Sequence, residues 1–169
     1  GATYEMAQLD PDLMVTMSTL INEPVSRFTV APTTIEDLVA RVKVNRKMAN
    51  FVGTCHQRCT GLDCLTALSI VTYDIDQKYN TEYYPRFIEF LKHMQKNDLT
   101  GNAGVTDVKG DRSLAPHEQV DQDMFVRVVE KRADGIVVRG AKAHQTGSVN
   151  SHWHIFMPTI SMKEADKDY

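Results

Sequence analysis

Two cysteines four residues apart are the side chains of this sequence best suited to chemistry. Cys55 and Cys59 stand in the run Thr54 to Gly61, inside a stretch that otherwise has the pattern of a helix. Because four residues make about one helical turn, we expect both thiols on one helix face, where they can bind one metal centre. Thiolates are the usual ligands of iron–sulfur clusters, so the pair predicts two ligands at one edge of such a cluster.

The same cysteine pair also has a purely structural interpretation. Two cysteines on one helix face are often small core residues, and CxxxC is less specific for metals than CxxC. Gln57 and Arg58 between the thiols favour the metal, because both are poor core residues and a cation stabilises a thiolate. His56 is a conceivable third ligand, but it points to a different face of the predicted helix. We therefore expect the missing ligands to lie outside this chain.

The run from Arg139 to Ser148 is the second candidate site. Its residues are too small and polar for a core, and its glycines allow the backbone to approach a ligand closely. We interpret the run as a flavin-contacting loop in which Thr146 hydrogen-bonds a ring nitrogen, while Lys142 and His144 bind phosphates or a carbonyl. An ordinary connection between a strand and a loop is the alternative.

Two further segments are indecisive on their own. Asp107 to Arg112 is either a solvated turn or a loop whose Arg112 pairs with an anion such as a nucleotide pyrophosphate. His152 and His154 bracket Trp153 in a predicted strand and share one face of it. They suit either a two-histidine metal site or a pair of structural histidines with satisfied hydrogen bonds.

Helical patterns dominate the first half of the chain and must position the cysteines. The run Thr33-Thr34-Ile35-Glu36 predicts a capping box that starts a helix, and this helix is expected to end near Gly53. Ile35, Leu38, Val39, Val42 and Ala49 recur along it at helical spacing. Two more helices are predicted over 62–79 and 82–95.

Strand patterns replace the helical ones in the second half. Residues 124–131 and 136–139 predict a hairpin around an Asp-Gly turn, and 153–160 predicts a third strand. Helices followed by strands indicate an α+β fold. We expect three segments, namely a helical N-terminal domain over 1–98, a connecting segment over 99–123, and the truncated start of a β middle domain over 124–169.

Composition and charge restrict the class of protein. The chain has 169 residues and a net charge of -3, from 19 basic and 22 acidic residues spread along its length. This balance argues against nucleic acid or an anionic membrane as a partner. No apolar run approaches the roughly 20 residues that cross a bilayer, so a cytoplasmic protein is expected. An odd number of cysteines fits a reducing compartment, and Cys64 among leucines is interpreted as a buried core residue.

Seven sequence runs, taken together, carry a family resemblance. They are Cys55 to Gly61, Tyr73 to Tyr79, Lys109 to Arg112, Leu114 to Pro116, Val129 to Arg132, Asp134 to Gly147, and Ala165 to Tyr169. In this order, and nearly without gaps, the chain resembles the 4-hydroxybutyryl-CoA dehydratase/vinylacetyl-CoA Δ-isomerase flavoproteins, a branch of the 4-hydroxyphenylacetate 3-hydroxylase-like family. Related flavin hydroxylases share the fold and the Thr-Gly loop but lack the cysteine pair, which makes the resemblance specific.

The resemblance implies a fold and a set of cofactor residues. The fold is acyl-CoA dehydrogenase-like, with a helical N-terminal domain before a β-barrel middle domain that is truncated here. Cys55 and Cys59 match two ligands of a 4Fe-4S cluster, Gln57 matches a catalytic residue beside it, and Thr146 matches the catalytic threonine that contacts FAD. The implied FAD-contacting residues are Thr106, Lys109, Asp111, Arg112, His144, Gln145, Thr146 and Gly147.

The activity implied by the resemblance is the reversible dehydration of 4-hydroxybutyryl-CoA to crotonyl-CoA, with isomerisation of vinylacetyl-CoA. FAD transiently removes one electron, which acidifies the unactivated β-proton, and the cluster acts as a Lewis acid on the leaving hydroxyl. An acyl-CoA substrate and a homotetramer are implied, without a nucleic-acid or membrane partner. Trp153 departs from the family pattern, which usually has an acidic residue between the two histidines.

The limits of the sequence suggest an internal piece of a larger polypeptide. It starts without methionine and stops soon after a strand that has no predicted partner, so we expect the piece alone to be inactive. Two alternatives stay open. One is a flavin-dependent aromatic hydroxylase of the 4-hydroxyphenylacetate type, and the other is a non-catalytic cofactor-binding piece.

Overall fold

Helices and short strands both contribute to residues 1–56 and 58–169, the part of the chain described by the computed structural model; for Cys59 and Thr60 only the backbone is described. The helices are Ala2–Leu9 (α1), Pro11–Met14 (α2), Ile35–Val52 (α3), Cys59–Tyr79 (α4) and Tyr83–Lys96 (α5). The strands are Val15–Met17 (β1), Pro24–Ser26 (β2), Gly101–Gly104 (β3), Arg127–Arg132 (β4), Gly135–Arg139 (β5) and Trp153–Phe156 (β6). The predicted mixture of helices and strands is confirmed.

The strands pair two by two. β1 with β2 and β4 with β5 form antiparallel hairpins, and β3 pairs with β6. In the second hairpin the register runs from Arg127 opposite Arg139 to Arg132 opposite Gly135, with an irregularity after Val128. No sheet closes into a barrel within the described residues. None of the helices found there combines the length and the hydrophobicity needed to span a bilayer.

Local hydrogen bonds define both ends of α3. The Thr34 hydroxyl accepts a bond from the Asp37 N–H at 3.1 Å, and the Asp37 carboxylate accepts one from the Thr34 N–H at 3.1 Å. This capping box lies one residue later than the predicted pair of Thr33 and Glu36. Gly53 ends the helix with φ 70°, in the left-handed region that favours glycine. The predicted helix and its end are confirmed.

The chain folds as two compact units. Unit 1 consists of Gly1–Asn102 and Gly147–His154, and unit 2 consists of Ala103–Thr146 and Ile155–Tyr169. The chain therefore passes from one unit to the other inside β3, and again inside β6. The predicted segments 1–98, 99–123 and 124–169 concern the domains of a longer protein and stay a prediction.

Unit 1 is built around a core of methionine, aromatic and aliphatic side chains. The buried members of this core are Met6, Met14, Phe28, Val44, Met48 and Leu62. A buried polar link lies in the same unit, where Gln95 accepts a bond from the Ser18 hydroxyl at 2.6 Å and donates one to the Thr29 carbonyl at 2.9 Å. Because buried polar groups are costly unless hydrogen-bonded, this link ties α5 to the two segments beside the first hairpin.

A buried carboxylate organises the end of the chain in unit 2. Asp166 is 0% exposed and accepts bonds from the His117 ring Nδ1 at 2.7 Å, the His117 N–H at 3.2 Å and the Lys163 N–H at 2.9 Å. These hydrogen bonds, that of the His117 ring above all, outweigh the effect of burial and hold the pKa of Asp166 below its usual value.

We expect Asp166→Asn to make this chain less stable at neutral pH and less sensitive to acid. Since the folded pKa lies below the unfolded value of about 4, the carboxylate stabilises the fold above that value, and this stabilisation is lost as the pH falls through the folded pKa. Thermal unfolding followed from pH 7 to pH 3 should show wild type and variant converging on acidification. Asp134→Asn, in the exposed turn of the second hairpin, is the control. A constant difference at all pH values would contradict the prediction.

Candidate cofactor site

The chain from residue 54 to residue 59, called the cysteine segment below, connects α3 to α4. Cys55 is an exposed residue in the connection, whereas α4 begins at Cys59. The prediction that both cysteines lie on one face of a single helix is therefore wrong, because the left-handed Gly53 ends α3 before the first of them. Gln57 and the Cys59 side chain lie outside the described residues, so the ligand pair and the role of Gln57 stay predictions.

Phe28 anchors the middle of this segment within unit 1. The His56 ring lies on it with centroids 5.2 Å apart, and the Arg58 guanidinium lies 5.1 Å from the same ring. The Arg58 side chain is only 14% exposed, and its ion-pair partner Asp98 is 3.9 Å away. Arg58 is thus a buried cation whose charge is weakly offset.

The buried surroundings favour a neutral His56. Desolvation, and after it the charge of Arg58, lowers the pKa of the imidazole. Burial likewise lowers the pKa of Arg58, although Asp98 opposes the effect. The Nδ1 atom of His56 is buried and has no hydrogen-bond partner among the described residues. A buried polar atom without a partner is uncommon and is a sign of function when it borders a cleft.

A cleft of about 910 Å³ opens in unit 1 beside these side chains. Its lining includes His56 and Arg58 from the cysteine segment, Gln95 from α5, Gly147 from the end of the predicted flavin loop, and Asn150 just after that loop. Its volume is within the range of about 300–1,000 Å³ that is typical of ligand sites. The structure therefore brings parts of both sequence-predicted motifs to one cavity.

The rest of the predicted flavin loop lies in unit 2 and has two unusual features. His144 has φ 59°, a left-handed conformation that is uncommon for a residue other than glycine. Gln145 donates a bond to the Ala143 carbonyl at 2.6 Å, while its buried Oε1 has no partner among the described residues. Thr146 is exposed. A strained backbone beside an unpaired buried acceptor is typical of a ligand-binding loop.

Lys142 does not play the predicted role of binding a phosphate. Its side chain is 3% exposed, and its ammonium is bonded to the Asp107 carboxylate and to the Val105 and Met157 carbonyls. Three acceptors match the three donors of the ammonium, so none is left for a ligand. The phosphate-binding interpretation of Lys142 is wrong.

The second predicted FAD segment is largely exposed to solvent and held by hydrogen bonds to a buried glutamine. The buried Gln119 accepts a bond from the Asp111 N–H at 3.0 Å and donates to the Asp111 carbonyl at 2.8 Å. Gly110 has φ 44°, and a Cβ there would meet the Gln119 side chain. Lys109 and Arg112 are exposed. The Ala143 N–H donates to the Thr106 carbonyl at 2.8 Å, which joins this segment to the flavin loop.

His152 and His154 flank Trp153 at the start of β6. The His152 Nδ1 accepts a bond from the Thr100 N–H at 3.1 Å. No group of three or more His, Cys, Asp or Glu side chains suited to a metal occurs in the described part of the chain. The hydrogen bond from Thr100 favours the structural alternative for His152.

Sequence reasoning missed the supports of the site. Phe28 holds the cysteine segment from a position far upstream, and Gln119 holds the loop around Asp111. Neither residue belongs to a sequence motif, so the sequence carried no signal for these contacts.

Comparisons with known proteins show which family the chain resembles. Residues 1–169 match the family described as 4-hydroxyphenylacetate 3-hydroxylase N terminal. The curated 4-hydroxybutyryl-CoA dehydratase/vinylacetyl-CoA-Delta-isomerase of Clostridium aminobutyricum is 55% identical over 170 residues, which cover 99% of this chain and 34% of that protein. The chain thus spans about a third of the length of the curated relatives that it matches.

Solved structures show the same relationships. An oxygen-tolerant archaeal 4-hydroxybutyryl-CoA dehydratase from N. maritimus matches 98% of this chain and 33% of its own, with a TM-score of 0.92 and 45% identity. The oxygenase component of 4-hydroxyphenylacetate 3-monooxygenase, in complex with FAD, matches 83% of this chain and 29% of its own, with a TM-score of 0.63 and 22% identity. The second likeness concerns the fold alone.

Proposed function

Because the chain belongs to the 4-hydroxyphenylacetate 3-hydroxylase N-terminal family, we propose that it is the N-terminal region of a 4-hydroxybutyryl-CoA dehydratase with vinylacetyl-CoA isomerase activity. The observation that carries the proposal is its 55% identity, over 99% of the chain, to the curated enzyme with these two activities. Identity to the hydroxylase-type relative is much lower, at 26%, so an aromatic hydroxylase is the less supported function.

FAD is the first cofactor in this proposal. The unpaired Gln145 Oε1 and the left-handed His144 fit a loop that binds a flat, polar ring system at its edge. The exposed Thr146 would donate its hydroxyl to the flavin, and Thr106, Lys109, Asp111 and Arg112 belong to the neighbouring loop that we assign to the same cofactor. When bound, FAD would supply one-electron exchange with the substrate.

A 4Fe-4S cluster is the second proposed cofactor. Cys55 is exposed in the connection before α4, and Cys59 is the first residue of that helix. These two cysteines would be ligands from this chain, and the remaining ligands would come from outside it. The bound cluster would supply a Lewis acid for the leaving hydroxyl.

We assign the proposed acyl-CoA substrate to the cleft of unit 1, beside the cysteine segment. Arg58 offers a buried cation that Asp98, 3.9 Å away, offsets weakly. A cation in such surroundings attracts the negatively charged groups of a ligand more strongly than one in water. The neutral His56 would offer an uncharged hydrogen-bonding group next to it, and Gln57 is assigned to the vicinity of the cluster.

The proposal extends to the longer protein. We expect the second hairpin, β4 and β5, to belong to the β-barrel middle domain of an acyl-CoA dehydrogenase-like fold. We also expect a cytoplasmic protein, since an odd number of cysteines suits a reducing compartment. The resemblance to the dehydratase family further leads us to propose a homotetramer.

Thr146→Val in the full-length enzyme tests this function. The substitution keeps the shape of the side chain and removes a hydroxyl whose hydrogen bond contributes only about 1 kcal/mol to FAD binding. We expect the variant to retain FAD while the rate of dehydration of 4-hydroxybutyryl-CoA falls at least tenfold. Crotonyl-CoA formation and flavin absorbance should be measured on the same anaerobic preparations.

Assays of the wild-type enzyme test the proposed function separately from the role of Thr146. Wild-type enzyme that hydroxylates 4-hydroxyphenylacetate, but forms no crotonyl-CoA, would overturn the proposal in favour of the aromatic hydroxylase. Parental turnover in a variant that holds FAD would overturn only the role of Thr146.

A further inference from the structure

A buried ion pair lies directly before the flavin-contacting residues. The Lys142 ammonium, with its side chain 3% exposed, contacts the Asp107 carboxylate, which is itself 12% exposed. It also donates to the Met157 carbonyl at 2.7 Å and to the Val105 carbonyl at 3.4 Å. One side chain thus connects three stretches of unit 2.

The Asp107 carboxylate extends the same network. Its second oxygen accepts a bond from the Thr159 hydroxyl at 2.7 Å. Burial raises the pKa of Asp107, but the bonds from Lys142 and Thr159 outweigh it and hold the pKa below its usual value. The carboxylate therefore stays charged, and the lysine stays matched by a negative partner.

The network holds the chain directly before the left-handed residue of the flavin loop. The residue after Lys142 is Ala143, whose N–H donates to the Thr106 carbonyl at 2.8 Å, and whose carbonyl accepts from Gln145. The chain then enters the left-handed turn at His144. The hydrogen bonds made by residues 142–145 therefore restrict the positions available to Thr146.

Stability alone is a weak reason for a buried ion pair. The desolvation of two charges costs about as much as their attraction returns, and apolar side chains of similar volume often replace such pairs without loss. What apolar groups cannot reproduce is direction, because an ammonium holds three acceptors at defined positions. The arrangement is thus suited to fixing geometry.

We propose that Lys142 is a positioning residue that, through Asp107 and the Val105 and Met157 carbonyls, holds His144 to Thr146 in the conformation that binds the flavin. The inference rests on the proposed function for the identity of the ligand. Lys142 itself contacts no cofactor in this role.

The test uses Lys142→Met in the full-length holoenzyme, with Lys131→Met as the matched control. Lys131 makes an ion pair with Asp168 at 3.2 Å but is 72% exposed, so its loss should change nothing measurable. We expect Lys142→Met to raise the dissociation constant of FAD at least tenfold and to alter the visible circular dichroism of the bound flavin. Far-UV circular dichroism of the apoprotein verifies that the variant is folded.

Each outcome has one meaning. A folded Lys142→Met variant with parental FAD affinity and parental flavin dichroism overturns the inference and leaves the proposed function intact. Wild-type protein that binds no FAD overturns both. If the methionine variant does not fold, Lys142→Arg replaces it, because the bulkier guanidinium should displace the same acceptors. We then expect weaker FAD binding and altered dichroism, and parental values in the arginine variant overturn the inference.

Discussion

Replacing either Cys55 or Cys59 with alanine in the full-length enzyme is expected to abolish incorporation of the iron–sulfur cluster. Each substitution removes one of the two thiolates that we assign to the cluster from this chain, and clusters of this kind are held by thiolate ligands. Iron and acid-labile sulfide should fall from about four atoms each per subunit to background, in anaerobically purified protein. Dehydratase activity should be lost with them.

Cys64→Ala is the matched control for these two variants. Cys64 is 4% exposed within α4, and burial raises the pKa of its thiol, so it stays protonated and packs as a small hydrophobic residue. We expect this variant to keep its iron. Full iron content in both the Cys55 and the Cys59 variants would show that the ligand assignment is wrong.

Gly61→Ala is expected to destabilise the protein, although alanine is the better helix former. Gly61 lies in the first turn of α4, and a Cβ there would come within 2.2 Å of the Gly101 carbonyl oxygen in β3. Helix propensity alone would stabilise the variant by about 1 kcal/mol. Overpacking against a backbone costs about 1–3 kcal/mol, and we expect it to dominate. The sign of the change in unfolding free energy therefore decides between the two effects.

The substitution should also lower the occupancy of the proposed cluster. Gly61 lies two residues after Cys59, so a shift of the start of α4 would move the cysteine segment, and we expect lower iron content. Gly135→Ala is the control, because an added Cβ meets no atom within 4 Å in the turn of the second hairpin. A stabilised Gly61→Ala variant with full iron would contradict the prediction.

Elements with local signals could be predicted from the sequence. α3 has its own caps at Thr34 and Gly53, and the hairpin of β4 and β5 has an Asp-Gly turn between two β-branched runs. Such elements need no knowledge of distant residues. The helices predicted over 62–79 and 82–95 likewise match α4 and α5, with ends that differ by up to three residues.

Elements that depend on distant partners were missed. Gly101–Gly104 has the sequence Gly-Asn-Ala-Gly, which disfavours a strand, and it was predicted to be connecting chain. All four residues are buried, and β6 supplies the partner from about fifty positions downstream. The short hairpin of β1 and β2 was missed for another reason, because it is a local element in the half of the chain that helical patterns dominate.

Helical spacing also gave a misleading picture of burial. The apolar residues at the start of α3 recur with a helical period, yet Ile35 is 75% exposed, and the buried side of the helix carries Val44 and Met48. Periodicity identifies an apolar face but not the surface that covers it. For this reason the helix was predicted correctly and its core face was not.

The sequence suggests residue types for the candidate site but does not reveal the residues that support it. The cysteine pair and the loop around Thr146 stand out because such residues are poor core residues. Lys142 was expected to bind a phosphate, but it is the buried partner of Asp107. This pair joins residues 35 positions apart, and no rule of local spacing predicts it.

The discontinuous composition of unit 1 has a consequence for how the protein is made. Its last stretch, Gly147–His154, follows all of Ala103–Thr146 in the chain, so a ribosome must synthesise most of unit 2 before unit 1 has its complete set of residues. The residues between the two stretches of unit 1 form a long loop. Closing this loop costs chain entropy before the contacts of unit 1 can compensate for it. A nascent chain released at Asn102 would therefore lack one border of its own cleft, and chimeras of related enzymes must exchange both stretches of unit 1 together.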